Sequence, residues 1–127
     1  MTLSVGDKIP DLELPASGGR SISLRKDYKG RKLVVYFYPK DNTPGCTQEG
    51  QDYRDHYEQF QKAGADIVGI SKDSVRSHDN FVAKYEFPFP LLSDTEGKAC
   101  DAFDAIVEKT LYGRKYMGID RCTWLFD

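Results

Sequence analysis

The sequence predicts an α/β protein, a sheet with helices on both faces, and three features predict it. Leu33-Val34-Val35-Tyr36-Phe37-Tyr38 is a continuous apolar run of strand length, as a doubly covered strand requires. Asp66-Ile67-Val68-Gly69-Ile70 reads as a second buried strand. Each is followed by a segment whose apolar residues recur at helical spacing, so strand and helix alternate along the chain.

The elements follow in order. Residues 11–14 and 21–24, Asp-Leu-Glu-Leu and Ser-Ile-Ser-Leu, alternate apolar with polar around Pro15-Ala16-Ser17-Gly18-Gly19, the pattern of an N-terminal hairpin. Lys29-Gly30-Arg31-Lys32 is a charged turn into the strand at 33–38. A helix then runs from Thr43 to about Ala63, with Tyr53, Tyr57 and Phe60 on its apolar stripe and Gly64 as its stop. After the strand at 66–70, Ser71-Lys72-Asp73-Ser74 supplies a loop and cap for a helix carrying Val75, Phe81, Val82 and Tyr85 inward. Leu91-Leu92-Ser93 is a third short strand, Glu96 to Phe103 a short helix, and residues 105–118 a mixed segment broken at Gly113 and Gly118. Arg121-Cys122-Thr123-Trp124-Leu125-Phe126 forms the last strand. The whole, residues 1–127, is expected to be one domain, a length sufficient for a single core.

Composition excludes several classes of function. With 18 basic against 20 acidic residues the net charge is −2, which gives no footprint for nucleic acid. No apolar stretch approaches the roughly 18 residues of a membrane span, and no basic-then-apolar leader opens the chain. Three widely spaced cysteines do not form a secreted disulfide framework, and a reducing cytoplasm is the expected compartment. His56 and His78 fall on polar helix positions and are expected to be exposed, with no metal site.

Chemistry concentrates in Pro39-Lys40-Asp41-Asn42-Thr43-Pro44-Gly45-Cys46-Thr47-Gln48-Glu49. Thr43 is the expected N-cap, Pro44 the first helical residue, and Cys46 the third helical position. The unpaired amides and positive dipole end of a helix favour thiolate over thiol there, which makes Cys46 a candidate nucleophile. The Thr43 hydroxyl, as cap, is directed towards that same third position. A dithiol exchange site would need a second cysteine where Thr43 stands, so disulfide-exchange chemistry is excluded at this helix start.

Pro39-x-x-x-Thr43-x-x-Cys46 resembles the active-site motif of the peroxiredoxins, and Thr43-Pro44-Gly45-Cys46-Thr47-x-Glu49 that of their bacterioferritin-comigratory (PrxQ) branch. Val5-Gly6-Asp7-Lys8-Ile9-Pro10-Asp11, Tyr53-Arg54-Asp55, Gly69-Ile70-Ser71-Lys72-Asp73-Ser74, Pro90-Leu91-Leu92-Ser93-Asp94 and Arg121-Cys122-Thr123-Trp124-Leu125 are similar to that branch in the same order. The resemblance implies a thioredoxin-like fold and a thiol peroxidase acting on hydrogen peroxide and organic hydroperoxides. It implies no cofactor, a monomer, and thioredoxin, glutaredoxin or a small thiol as reductant. Cys46 is then the peroxidatic cysteine. Thr43 and the Gly45 and Cys46 amides hold the peroxide, Pro39 shields the sulfur, and Arg121 supplies the cation, with Glu49 to orient it. A redox sensor on the same fold, passing oxidation from Cys46 to a partner protein, needs the same thiolate, and turnover with an added thiol separates the two. In this family the last strand is followed by another strand and a long helix, so a sequence stopping at Asp127 is expected to be a truncated or partial chain. Its last strand would then present an unpaired edge near Cys122-Thr123-Trp124.

What resolves the sulfenic acid is open at this level. The branch carries its second cysteine five residues after the first or in the next helix. Here position 51 is Gln51 and the helix from Ser74 to Glu86 has no cysteine. Cys100 is the candidate intramolecular substitute. Cys122 neighbours Arg121 on a strand and so points to the opposite face. The reading is a one-cysteine mechanism with an external thiol.

Overall fold

The computed structural model describes residues 8–103, 105–111, 113–119 and 121–126, so Val5, Gly6 and Asp7 of the opening motif lie outside the described residues. Its order is β1 (Glu13–Ala16), β2 (Arg20–Ser23), β3 (Lys32–Phe37), α1 (Pro44–Asp55), α2 (Tyr57–Lys62), β4 (Ala65–Ser71), α3 (Val75–Tyr85) and β5 (Leu91–Ser93). There follow α4 (Lys98–Ala102), β6 (Ile106–Leu111), β7 (Arg114–Ile119) and β8 (Cys122–Phe126).

β3 organises the sheet. It runs parallel to β4, from Lys32 opposite Ala65 to Phe37 opposite Ile70, and antiparallel to β8, from Phe37 opposite Cys122 to Leu33 opposite Phe126. β4 continues to β5 in parallel, and the β1–β2 hairpin joins β5 through Ala16 and Leu92, giving the order β2-β1-β5-β4-β3-β8. Period-2 alternation then divides one apolar run between two cores. Leu33, Val35 and Phe37 face a core with Ala99, Cys100 and Phe103 of the α4 region, while Val34, Tyr36 and Tyr38 face a core with Phe81, Phe87, Phe89 and Cys46. Helices cover both faces, as the strand composition requires, and the architecture is the expected thioredoxin-like one.

The structure differs from the sequence reading at several elements. The first hairpin strand lies further along and the second one residue earlier, because Pro15 and Ala16 belong to β1, opposite Ser21 and Arg20, and the turn shrinks to residues 17–19. The helix after Thr43 divides at His56, where the backbone turns to φ −105° and ψ 7° and the ring Nδ1 meets the Asp52 carbonyl at 2.9 Å. α4 starts at Lys98 rather than Glu96, because both oxygens of the Asp94 carboxylate accept from the Ala99 and Cys100 amides and fix the first turn there. The segment 105–118 is a hairpin, β6 with β7 from Ile106 opposite Ile119 to Leu111 opposite Arg114. Gly113, at φ +76°, serves its turn, and Gly118 lies within the ladder opposite Val107.

One glycine is set by packing. A Cβ on Gly50 would lie 2.6 Å from the Phe87 ring, which is stacked on Phe89 at 5.4 Å and edge-on to Phe81 at 4.9 Å, so it has little room to yield. Gly50→Ala gains helix propensity of at most ~1 kcal/mol but overpacks this contact by about 1–3 kcal/mol. The expected result is a lower urea midpoint with an unchanged slope; a midpoint equal to wild type would show that Phe87 moves freely.

Candidate active site

The chain reaches the site by way of β3. Tyr38 closes the strand by donating its amide to the Ile70 carbonyl, and the loop from Pro39 to Thr43 delivers the start of α1 beyond the strand's carboxyl end. Thr43 is the N-cap in an extended conformation, Pro44 is the first helical residue, and Cys46 stands third, as the spacing predicts. The Thr43 hydroxyl does not cap the helix. It donates to the Lys40 carbonyl at 3.0 Å, while the Thr43 carbonyl accepts from Thr47 at 2.8 Å. The amides of the first turn are therefore left to another acceptor.

Cys46 is 2% exposed and packs with Val34, Tyr36, Tyr38 and the Phe81–Phe87–Phe89 cluster. Those rings, rather than Pro39, which is exposed, enclose the sulfur. Arg121 stands one residue before β8, and the antiparallel register that sets Cys122 opposite Phe37 brings it beside the loop that follows β3. Its Nη2–H donates to Cys46 Sγ at 3.2 Å, and its Nη1–H donates to Glu49 Oε1 at 2.7 Å. One guanidinium fork thus joins two residues a helical turn apart on α1. Burial would lower the guanidinium, but its contacts with Cys46 and Glu49 outweigh that and hold it above its ordinary value. Burial pushes the Glu49 carboxyl up, with Arg121 opposing the rise. A groove of about 540 Å³ opens alongside, lined by Gly45, Gln48, Glu49, Tyr53, Phe60 and Arg121 among others.

Sequence reasoning missed a second cluster beside this one. His78 is not exposed but wholly buried. Its Nδ1 lies 2.7 Å from Asp41 Oδ2, and its Nε2 lies 3.0 Å from the Leu92 carbonyl. The Asp41 carboxylate also accepts from the Tyr38 hydroxyl at 2.5 Å and from the Ser77 hydroxyl at 2.8 Å. Burial and the neighbouring Asp41 charge push the Tyr38 phenol well up, so it stays a donor. The signal was present: His78, Phe81, Val82 and Tyr85 stand at the spacing of one helical stripe, so the ring belongs to the inward face. His56, by contrast, is exposed as expected.

Of the other cysteines, Cys122 lies on the face opposite Arg121, packed against the α4-side core, as alternation predicts. Cys100 is wholly buried in that same core, with the sheet between it and Cys46. Burial first, then the hydrogen bond to Asp94 and its charge, push the Cys100 thiol up to about 12 from an ordinary 9.0. Native protein treated with iodoacetamide near neutral pH should leave Cys100 unlabelled, with labelling only after denaturation. An unfolded Cys100 ionises near its ordinary value while the folded one resists, so its contribution to stability is intact below pH 9.0 and is lost as pH rises towards about 12. Cys100→Ala should flatten that part of the stability profile; native labelling, or an unchanged profile, would contradict the burial. None of the three cysteines forms a disulfide. Among the described residues, no group of three or more His, Cys, Asp or Glu could hold a metal, and no helix is long and apolar enough to cross a membrane.

Comparison with known proteins accords with this arrangement. The model of the AhpC/TSA family matches residues 5–127. Peroxiredoxin Bcp of Bacillus subtilis is 49% identical over 127 residues, covering all of this chain and 80% of its own length. Peroxiredoxin Bcp of Xanthomonas campestris is 55% identical over 115 residues, covering 91% of this chain and 71% of its own. A structure of the Xanthomonas campestris bacterioferritin comigratory protein, described for its alkyl peroxide reduction activity, superposes with a TM-score of 0.85 at 53% identity, over 91% of this chain and 73% of that one.

Proposed function

The chain belongs to the AhpC/TSA family and is a thiol peroxidase of its Bcp peroxiredoxin branch, and we propose that Cys46 is the residue that peroxide oxidises. The observation that carries this reading is the 3.2 Å contact from Arg121 Nη2 to Cys46 Sγ at a proline-started helix N-terminus. The thiolate attacks one peroxide oxygen in line, the O–O bond breaks, and the other oxygen leaves as hydroxide or alkoxide, which takes a proton from solvent. Cys46 becomes the sulfenic acid. Arg121 and the first-turn amides of α1 meet the charge that spreads onto the two oxygens, Glu49 fixes the guanidinium, and Thr43 is the N-cap residue that sets where those amides begin. Pro39 follows the strand end and, with no amide donor and a fixed φ, restricts the loop.

A thiol donor then attacks the sulfenic sulfur, releasing water and forming a mixed disulfide that a second thiol clears. With Cys100 across the sheet in a protonated, buried state, the donor is external: thioredoxin, glutaredoxin or a small thiol. Hydrogen peroxide is the proposed substrate, with the groove beside Arg121 as its approach. Organic hydroperoxides are proposed from the likeness to the Xanthomonas campestris protein and from the groove beside Arg121, whose Tyr53 and Phe60 could take an alkyl chain. We propose the cytoplasm as the compartment, from the three widely spaced cysteines of the sequence, and a monomer.

The test is the intact mass of reduced protein after one equivalent of hydrogen peroxide, with and without a sulfenic-acid trap. An adduct mapped to Cys46 alone is expected. A loss of two mass units mapped to Cys46 and Cys100 would replace the external thiol with an internal one, and no modification at either would end the peroxidase reading.

A further inference from the structure

We propose that His78 and Asp41 form a positioning pair for the peroxide step, a buried latch on α3 and β5 that holds the Pro39–Thr43 loop and thereby the start of α1. The inference rests on Cys46 being the oxidised residue.

The loop is held almost wholly by α3 and the turn before it. The Asp41 amide donates to Asp73 Oδ2 at 2.8 Å. The Asp41 side chain is gripped by Ser77 and His78 of α3 and by Tyr38 at the end of β3. Asn42 sits in the left-handed region at φ +58°, a conformation that disfavours most side chains, and its Oδ1 accepts from Lys84 at 3.3 Å and Tyr85 at 3.2 Å. Thr43, the N-cap, follows directly, so the direction in which α1 leaves the loop is set by these contacts.

Within this set the His78 ring has no spare valence. The Leu92 carbonyl can only accept, so Nε2 carries a proton. The Nδ1 contact with Asp41 Oδ2 then holds a further proton between ring and carboxylate. The ring is wholly buried and Asp41 is 7% exposed, so water cannot replace either partner without opening the site. Removing the ring would leave Ser77 as the one remaining partner of Asp41 Oδ2 among the described residues and release the loop from β5.

Release should act on the two half-reactions in opposite directions. The peroxide step needs Cys46, Arg121 and the first-turn amides held to sub-ångström tolerance. The reducing step needs the sulfur, now 2% exposed, brought out to a thiol. A loosened latch therefore slows oxidation and speeds reduction, a split that general destabilisation does not produce.

The experiment compares wild type, His78→Phe and His78→Asn, each verified as folded by circular dichroism. One rate is single-turnover oxidation of Cys46 by hydrogen peroxide, from quenched-flow mass spectrometry. The other is reaction of oxidised Cys46 with the thionitrobenzoate anion, followed as the loss of its colour while the mixed disulfide forms. Phenylalanine fills the volume without a donor. Oxidation is expected to slow about tenfold or more, and the thionitrobenzoate reaction to accelerate by several-fold. Asparagine returns one N–H to Asp41 but not the Leu92 contact, and is expected to restore part of both rates. Ser77→Ala removes one donor from the same carboxylate at a half-buried position, and should shift both rates the same ways by about twofold to fivefold even where His78→Phe fails to fold. Oxidation and reduction rates within twofold of wild type in folded His78→Phe, or both unchanged in Ser77→Ala, would overturn the latch alone. Both rates falling together, or no rescue by asparagine, would reduce the pair to a stability element and overturn it as well. A wild type that does not oxidise at Cys46 would overturn the latch together with the peroxidatic reading beneath it.

Discussion

Cys46→Ser abolishes peroxide consumption. The hydroxyl of serine keeps the volume at the third position of α1, so the enclosing rings Tyr36, Tyr38, Phe87 and Phe89 need not move and the fold is retained. What is lost is the sulfur nucleophile, because a serine hydroxyl is a far poorer nucleophile towards peroxide than a cysteine sulfur and cannot form a sulfenic acid. The effect is therefore the whole of the activity rather than a fraction. Peroxide remaining after incubation with enzyme and excess dithiothreitol, read against a no-protein control, gives the answer directly. Turnover above that control in a folded serine variant would move the chemistry to Cys100 or Cys122, which the sheet separates from Arg121.

Arg121→Ala carries the second largest effect. The guanidinium meets Cys46 and Glu49 at once, at 3.2 Å and 2.7 Å, so its loss removes the positive partner of the sulfur and the donor towards the peroxide oxygens together. Losing one donor of this kind costs about 100- to 1000-fold in rate, and a fall of at least that lower order is expected in the second-order rate constant for hydrogen peroxide. Arg121→Lys should recover little, because an ammonium cannot span both partners with a planar fork. Folding stability should hardly change, since the ion pair is part-exposed and such pairs contribute roughly 0–1 kcal/mol. Competition for peroxide against a haem peroxidase would measure the rate, and thermal melting the stability. A rate within threefold of wild type would remove Arg121 from the site, whereas a large loss of stability would make its role structural.

The fold and the nucleophile were legible for different reasons. The stretches at 33–38 and 67–70 hold no charged residue, and burial on both faces leaves no other reading. Proline, glycine and cysteine in the first turn of α1 encode its start locally, so position 46 could be located without tertiary knowledge. Arg121 was reached only through resemblance, since nothing local in Asp120-Arg121-Cys122 states that β8 pairs with β3 and not with another strand. His78 was misread because its chemistry was weighed above its spacing: an ionisable ring on an apolar stripe is buried when a carboxylate from a distant loop comes to meet it, and that loop lies 37 residues earlier. The division of the helix at His56 depended on one side chain competing for a backbone carbonyl, and the β6–β7 hairpin on a register that two glycines obscured.

The sheet has a further consequence for how this protein can be observed. Its single tryptophan, Trp124, packs edge-on to Phe103 at 5.9 Å on the α4 side, and its indole N–H meets no hydrogen-bond partner among the described residues. The emission of that indole reports the integrity of a core that Cys46 does not touch. Oxidation of the sulfur should leave the fluorescence silent while denaturant shifts it to the red, so folding and redox state occupy separate optical channels. A phenylalanine-to-tryptophan exchange at Phe89, beside Tyr36 and Phe87 on the other face, would open the second channel and let both be followed in one cuvette.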